Sequence, residues 1–168
     1  MRSLVVYESL FGNTRSVAEA IATGLSGEVD VVEVGQAPDE VGAGLLVLGA
    51  PTHAFGMSRT ATREDAARRA QAANVTLVSR TDGMREWLGR VRIASPVLLA
   101  AFDTKIARPR LPGSAAKAMS KKLRGAPVEW IAPVRHFYVV DTLGPLVDGE
   151  LGRAREWGAR LADRVPAR

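Results

Sequence analysis

At 168 residues the chain is about one domain long, large enough for a full core, and no apolar run approaches the ~18 residues that would span a bilayer. The absence of cysteine excludes disulfides, thiolate nucleophiles and iron–sulfur ligation; two histidines, His53 and His136, are too few for a histidine-based zinc site unless carboxylates join them. A formal net charge of +5 hides an uneven distribution: residues 57–124 hold 15 Lys/Arg against 5 Asp/Glu, and the remainder 8 against 13.

The first elements lie in one run, Val5 to Ile21. Val5, Val6 and Tyr7 read as a buried strand. Ser9, Leu10, Phe11, Gly12, Asn13 and Thr14 form a turn rich in small and hydrogen-bonding side chains, and Val17, Ala18, Ile21 and Leu25 recur at helical spacing. Such a strand–turn–helix puts unpaired helix NH groups and the Ser9 and Thr14 hydroxyls where a phosphate would be held. An ordinary connection uses the same residue types, so the turn alone leaves both readings open. It is neither GxxxxGK[ST] nor GxGxxG, and it lacks a lysine to reach a β- or γ-phosphate.

The run resembles the N-terminal signature of flavodoxins, with Val5, Val6, Tyr7, Ser9, Gly12, Thr14, Ala18 and Ile21 on the pattern's positions. Many members carry a further hydroxyl where this chain has Phe11. The resemblance implies FMN as cofactor, with its phosphate on Ser9–Thr14.

Glu28 to Val34 alternates polar and apolar residues and reads as a half-exposed second strand. Gly35 to Gly44 is turn-rich, with at most a short helix. Leu45 to Leu48 reads as a central strand, which Ala50 to Gly56 leaves as a loop. A helix is expected from Thr62, where Thr62 and Asp65 have capping-box spacing, and another around Met84 to Val91. Pro96 opens a fourth strand with Val97 to Phe102 as its core. Gly113 to Arg124 reads as a helix, Val128 to Ile131 and His136 to Val140 as two pieces of a last strand interrupted by Pro133, and Glu150 to Val165 as a closing amphipathic helix.

The alternation of strands and helices predicts a single α/β domain over residues 1–168, a doubly wound parallel sheet with helices on both faces. Its five strands are expected in the flavodoxin-like order 2-1-3-4-5, which brings the loops after strands 1 and 3 together at a switch point. There the resemblance implies that Pro51, Thr52, His53, Ala54, Phe55 and Gly56 border the flavin ring, with His53 or Phe55 against it and Gly56 permitting a backbone reorientation. Phe102, Asp103, Thr104 and Lys105 stand in the second ring loop, without the family's usual glycine–aspartate pair and tyrosine. One ring face is then open, or covered by Phe102 or a partner. Lys105 and nearby arginines are expected to favour the anionic reduced flavin.

The leading expectation is an FMN-binding, cytoplasmic electron carrier with no catalytic acid or base and no metal of its own. An FMN-dependent oxidoreductase acting on a quinone or tetrapyrrole is the alternative, and a cofactor-free interaction module is a third. The first strand begins almost at Met1, so no secretory signal is expected. The basic middle segment reads as arginine on solvated faces, or as steering toward an acidic redox partner or anionic substrate. No nucleic-acid motif accompanies it.

Overall fold

The computed structural model describes residues 1–42 and 44–166. Strands β1 (Arg2–Tyr7), β2 (Glu28–Glu33), β4 (Leu45–Pro51), β6 (Val97–Ile106), β7 (Val128–Trp130) and β8 (Arg135–Val139) form one parallel sheet in the order β2-β1-β4-β6-β7, with β8 also on β6. Because β7 and β8 share one edge of β6, the order is the predicted 2-1-3-4-5 with a split last strand. The break falls where Pro133, which has no NH to donate, interrupts the ladder.

Among the described residues five helices cover the sheet: α1 (Asn13–Gly24), α2 (Thr60–Ala72), α3 (Met84–Arg90), α4 (Ala115–Lys122) and α5 (Glu150–Ala162). Side chains alternate between the two faces of each strand. Leu4, Val6, Leu46, Leu48, Leu99 and Ala101 pack with Met84 and Trp87 of α3 and Met119 of α4. Val5, Tyr7, Leu45, Val47, Ala100 and Phe102 pack with Val17 and Ile21 of α1 and Trp157 and Leu161 of α5. Burying each such large side chain contributes roughly 1.5–3 kcal/mol. α1 and α5 approach through glycines: a Cβ on Gly158 would lie 2.2 Å from the Ile21 carbonyl oxygen, and one on Gly24 2.1 Å from that of Arg155.

Several boundaries differ from the sequence reading. Residues 35–44 include the end of a 3-10 turn (Val34–Gln36) and a two-residue strand, β3 (Glu40–Val41), paired in parallel with β5 (Arg92–Ile93) as a separate small sheet. Strand β4 runs on through Ala50 and Pro51. α2 starts at Thr60, so Thr62 is its third residue, accepting a hydrogen bond from the Arg59 NH rather than capping the helix itself. Strand β6 continues four residues past Phe102, and this extension decides which of its side chains reach the site. No described helix is long and apolar enough to cross a membrane.

Register brings the strand ends level. Tyr7 of β1 lies beside Gly49 of β4, and Pro51 of β4 beside Thr104 of β6. The segments that follow β1, β4 and β6 therefore meet at one end of the sheet, on the switch point.

Candidate functional site

The loop after β1 is held from behind. Ser9 donates its NH to the Ser79 hydroxyl at 3.0 Å, and the Ser79 and Val78 NH groups donate to the Ser9 and Leu10 carbonyls at 2.7 and 3.1 Å. Gly12, at φ +96°, is the N-cap of α1, and its NH donates to the Ser9 hydroxyl at 3.1 Å. Among the described residues nothing caps the helix through a side chain. The NH groups of its first turn have no acceptor within the helix and face the loop. Thr14 and Thr104, both buried, share a hydroxyl–hydroxyl hydrogen bond of 2.8 Å that ties α1 to the end of β6. Only one hydrogen serves that bond, so one of the two hydroxyls keeps an O–H to donate elsewhere.

A cavity of about 550 Å³ opens over this cradle. Ser9, Leu10, Phe11, Asn13 and Thr14 line one end of it. Pro51, Thr52, His53 and Ala54 come from the loop after β4, and Thr104 and Lys105 from the end of β6. These predicted residues are thus brought together from three separate parts of the chain. Gly12, Phe55, Gly56, Phe102 and Asp103 are not among the residues lining the cavity.

Phe55, Phe102 and Asp103 are each kept from the cavity by a local cause. His53 and Gly56 exchange NH-to-carbonyl bonds of 2.7 and 2.9 Å, closing a turn that holds Ala54 at φ 42° and Phe55 at φ 75°. Backbone freedom is therefore spent at Ala54 and Phe55 rather than at Gly56, whose φ is not left-handed. Phe55 points outward, 65% exposed. Phe102 is fully buried in an edge-to-face cluster with Phe137 and Trp157, so it covers no ring face. Asp103, on the opposite face of β6, is also fully buried. It accepts from the Ser114 hydroxyl and the Ala116 NH at the start of α4, and pairs with His136 Nδ1 at 2.7 Å. Its work is to fasten α4 to the sheet.

Other bonds make the wall rigid. The Thr52 NH donates to the Thr104 carbonyl at 2.9 Å, and its hydroxyl accepts from the Ala115 NH at 3.1 Å. Lys105 reaches the Gly113 carbonyl through Nζ at 2.7 Å. Burial holds the His53 imidazole below its ordinary pKa, and the Arg63 charge pushes the same way, against Asp65. His53 is thus a neutral, flat group at neutral pH.

No protein-family model matches the sequence, and no curated protein matches it. Among solved structures, a flavodoxin from the domain Archaea is 21% identical with a TM-score of 0.63, covering 98% of this chain and 99% of its own. Flavodoxin 1 from Bacillus cereus is 16% identical with a TM-score of 0.68, covering 99% and 100%. A flavodoxin, WrbA-like protein from Agrobacterium tumefaciens is 20% identical with a TM-score of 0.56, covering 96% and 95%.

The chain has the flavodoxin-like fold.

Within the flavodoxin-like fold, the cavity also draws on parts that sequence reading did not select. One wall is α2, through Thr62, Asp65, Ala66 and Arg69, and another is formed by Ile106, Leu111, Val139 and Thr142. Glu8 was missed as well. Wholly buried at the end of β1, it accepts from the Met84 NH at 2.7 Å and the Ser58 hydroxyl at 2.9 Å, while its Oε2 has no partner among the described residues. Arg63 donates to Ser58 and pairs with Glu86 at 2.8 Å, so this network joins the flavodoxin-like strand β1 to α2 and α3. The available signal was a lone acid between an apolar strand and a turn, which by itself names no partner.

Proposed function

We propose that the protein binds FMN and carries electrons through it, as a cytoplasmic redox carrier. The observation that supports this most is the cavity itself, which joins the Ser9–Thr14 loop and the Thr104 hydroxyl to the flat or apolar groups Pro51, His53, Ala54 and Leu111. The residues present fit the cofactor. A phosphate is an acceptor-only group, and the α1 end offers helix NH groups with the Ser9, Thr14 and Thr104 hydroxyls. His53, Ala54 and Pro51 offer a neutral surface for a ring, and Leu111 adds an apolar edge.

When bound, FMN supplies one- and two-electron transfer. The chain's own part is to hold, shelter and bias it. Ser9–Thr14 anchor the phosphate, and the His53–Gly56 turn fixes one border of the ring site. The Lys105 ammonium, tethered to Gly113, puts positive charge on the cavity wall and favours a reduced, anionic ring by roughly 1 kcal/mol.

The partner is proposed to be a redox protein with an acidic surface. Phe55 and Leu111, both exposed, lie near Gly113, and Arg108, Arg110 and Lys117 are exposed in the same region. An apolar spot within a basic rim suits an acidic counterpart. A second reading, direct turnover of a quinone or tetrapyrrole, is favoured by one observation: with Phe102 buried, no aromatic residue of β6 lines the cavity, leaving room beside the ring.

Titration of the purified protein with FMN, followed by its visible spectrum, tests the cofactor. Stoichiometric binding with a shifted flavin band is expected; a protein that stays colourless in excess FMN rejects the reading. Quinone reduction by NAD(P)H with no added reductase would select the enzyme over the carrier.

A further inference from the structure

Asn13, the first residue of α1, is gripped by a strap that lies more than a hundred residues away in sequence. The strap joins β8 to α5. Its tip turns at Asp141–Gly144, where the Gly144 NH donates to the Asp141 carbonyl at 2.9 Å, and its stem is closed by the Val140 NH on the Pro145 carbonyl at 2.8 Å. Asn13 Nδ2 donates to the Leu143 carbonyl at 3.3 Å, and a Cβ on Gly144 would meet the Asn13 side chain at 2.6 Å. The strap therefore sits on the amino end of α1, and Thr142 at its tip lines the cavity.

Arg69 faces the same place from α2. It lines the cavity and also a neighbouring groove that it shares with Asp141, Thr142 and Leu143, so it stands across from the strap tip. Its Nε donates to Asp65 Oδ2 at 2.9 Å, one turn earlier on α2. That bond orients the guanidinium and leaves both terminal nitrogens without a protein acceptor among the described residues. In the cavity lining, the buried Thr14–Thr104 pair retains an O–H with no acceptor among the described residues. Donors converge here from α1, α2, β6 and the strap. Two acids lie nearby: Asp141 is turned to its own strap, accepting from the Thr142 NH at 2.7 Å, and Asp65, which also lines the cavity, is taken up by Arg69 Nε and offsets part of its charge.

We infer that Arg69 and Thr142 complete an anion subsite at the α1 end of the cavity, where they contact a phosphate monoester held on Ser9–Thr14; the ligand's identity as FMN rests on the function proposed above. Arg69 supplies the positive charge that the Ser9–Thr14 loop lacks. Thr142 supplies a hydroxyl in a site where Phe11 supplies none. A guanidinium donating to a dianion makes a charge-assisted hydrogen bond, stronger than the neutral contacts around it and sensitive to salt. Holding the phosphate between α2 and the strap also links two segments that border one groove.

Equilibrium titrations of the full-length protein with FMN and with riboflavin, followed by flavin fluorescence at low and physiological salt, test the subsite. Arg69→Gln is expected to weaken FMN about tenfold and to flatten its salt dependence, with riboflavin affinity unchanged within about twofold. Thr142→Val is expected to weaken FMN by about threefold, again sparing riboflavin. Lys121→Gln removes a charge from α4 away from the cavity and is expected to leave both affinities alone. Equal FMN affinity in wild type and Arg69→Gln, or a parallel loss of riboflavin, overturns the subsite while FMN binding stands. Failure of the wild type to bind FMN, with inorganic phosphate bound by wild type and lost in Arg69→Gln, upholds the anion subsite and rejects the flavin. Binding of neither FMN nor inorganic phosphate by the wild type overturns both.

Discussion

Glu8 carries its carboxyl wholly inside the protein, with two donors on Oε1 and no partner for Oε2 among the described residues. Burial raises its pKa above the ordinary value of 4.5, outweighing the Met84 NH, the Ser58 hydroxyl and the Arg63 charge. A raised acid binds its proton more tightly in the native than in the unfolded chain, so its contribution is full below about 4.5 and lost as pH rises through the higher native value. Glu8→Gln keeps an acceptor for Met84 and Ser58 without the charge. The wild type's stability relative to Glu8→Gln is therefore expected to fall as pH rises from 5 toward 8, read from urea midpoints at each pH. His53 runs the other way: its lowered pKa makes neutral imidazole the native form, stabilising above the unfolded value and lost on acidification.

The turn between β4 and α2 concentrates backbone strain at the cavity mouth. Ala54 and Phe55 both occupy the left-handed region, which costs side-chain-bearing residues roughly 1–2 kcal/mol each. The mutual His53–Gly56 hydrogen bonds and the Phe55 carbonyl, which accepts from the Ser114 NH at 3.2 Å, hold them there. Glycine at position 54 relieves one Cβ clash and loses no buried packing. Ala54→Gly is expected to raise stability by about 1 kcal/mol, a Tm increase of about 3 °C by calorimetry. The elements themselves were largely legible, because strands of Val and Leu bounded by glycine, and helices with apolar residues every three or four positions, announce their period. Their ends were not. Strand β6 runs on to Ile106 because β8 supplies ladder partners for Phe102 through Ile106, and that pairing comes from a segment about 33 residues later. The extension places Phe102 and Asp103 inside the sheet facing opposite cores, and only then do Thr104 and Lys105 emerge at the site.

Across the whole molecule, charge is segregated. The segment with 15 basic and 5 acidic residues includes α2, α3 and α4 and the stretch bearing Arg108 and Arg110. Several of its arginines are neutralised locally, Arg63 by Glu86 and Arg90 by Asp39 and Asp82. Among the described residues Arg108 and Arg110 have no such acid; they lie in the stretch between Ile106 and Leu111, which line the cavity, and add positive charge beside it. Long-range steering of this kind acts on association rate and is screened by salt. On the proposed carrier function, replacing both by glutamate is expected to slow electron exchange with a small acidic redox protein about tenfold at low ionic strength, the difference vanishing near 0.5 M salt, as measured by stopped-flow absorbance.

The amino-acid sequence alone determined the alternation of strands and helices, the parallel sheet they imply, and the loop Ser9–Thr14, because each of these depends on residues close together along the chain. Only the tertiary structure decided what stands opposite that loop. Glu8 meets Met84 across 76 positions, Asn13 meets Leu143 across 130, and Arg69 reaches the cavity only because α2 packs beside it. Such contacts are set by how the sheet orders its strands and how far each strand runs, and local periodicity carries neither quantity.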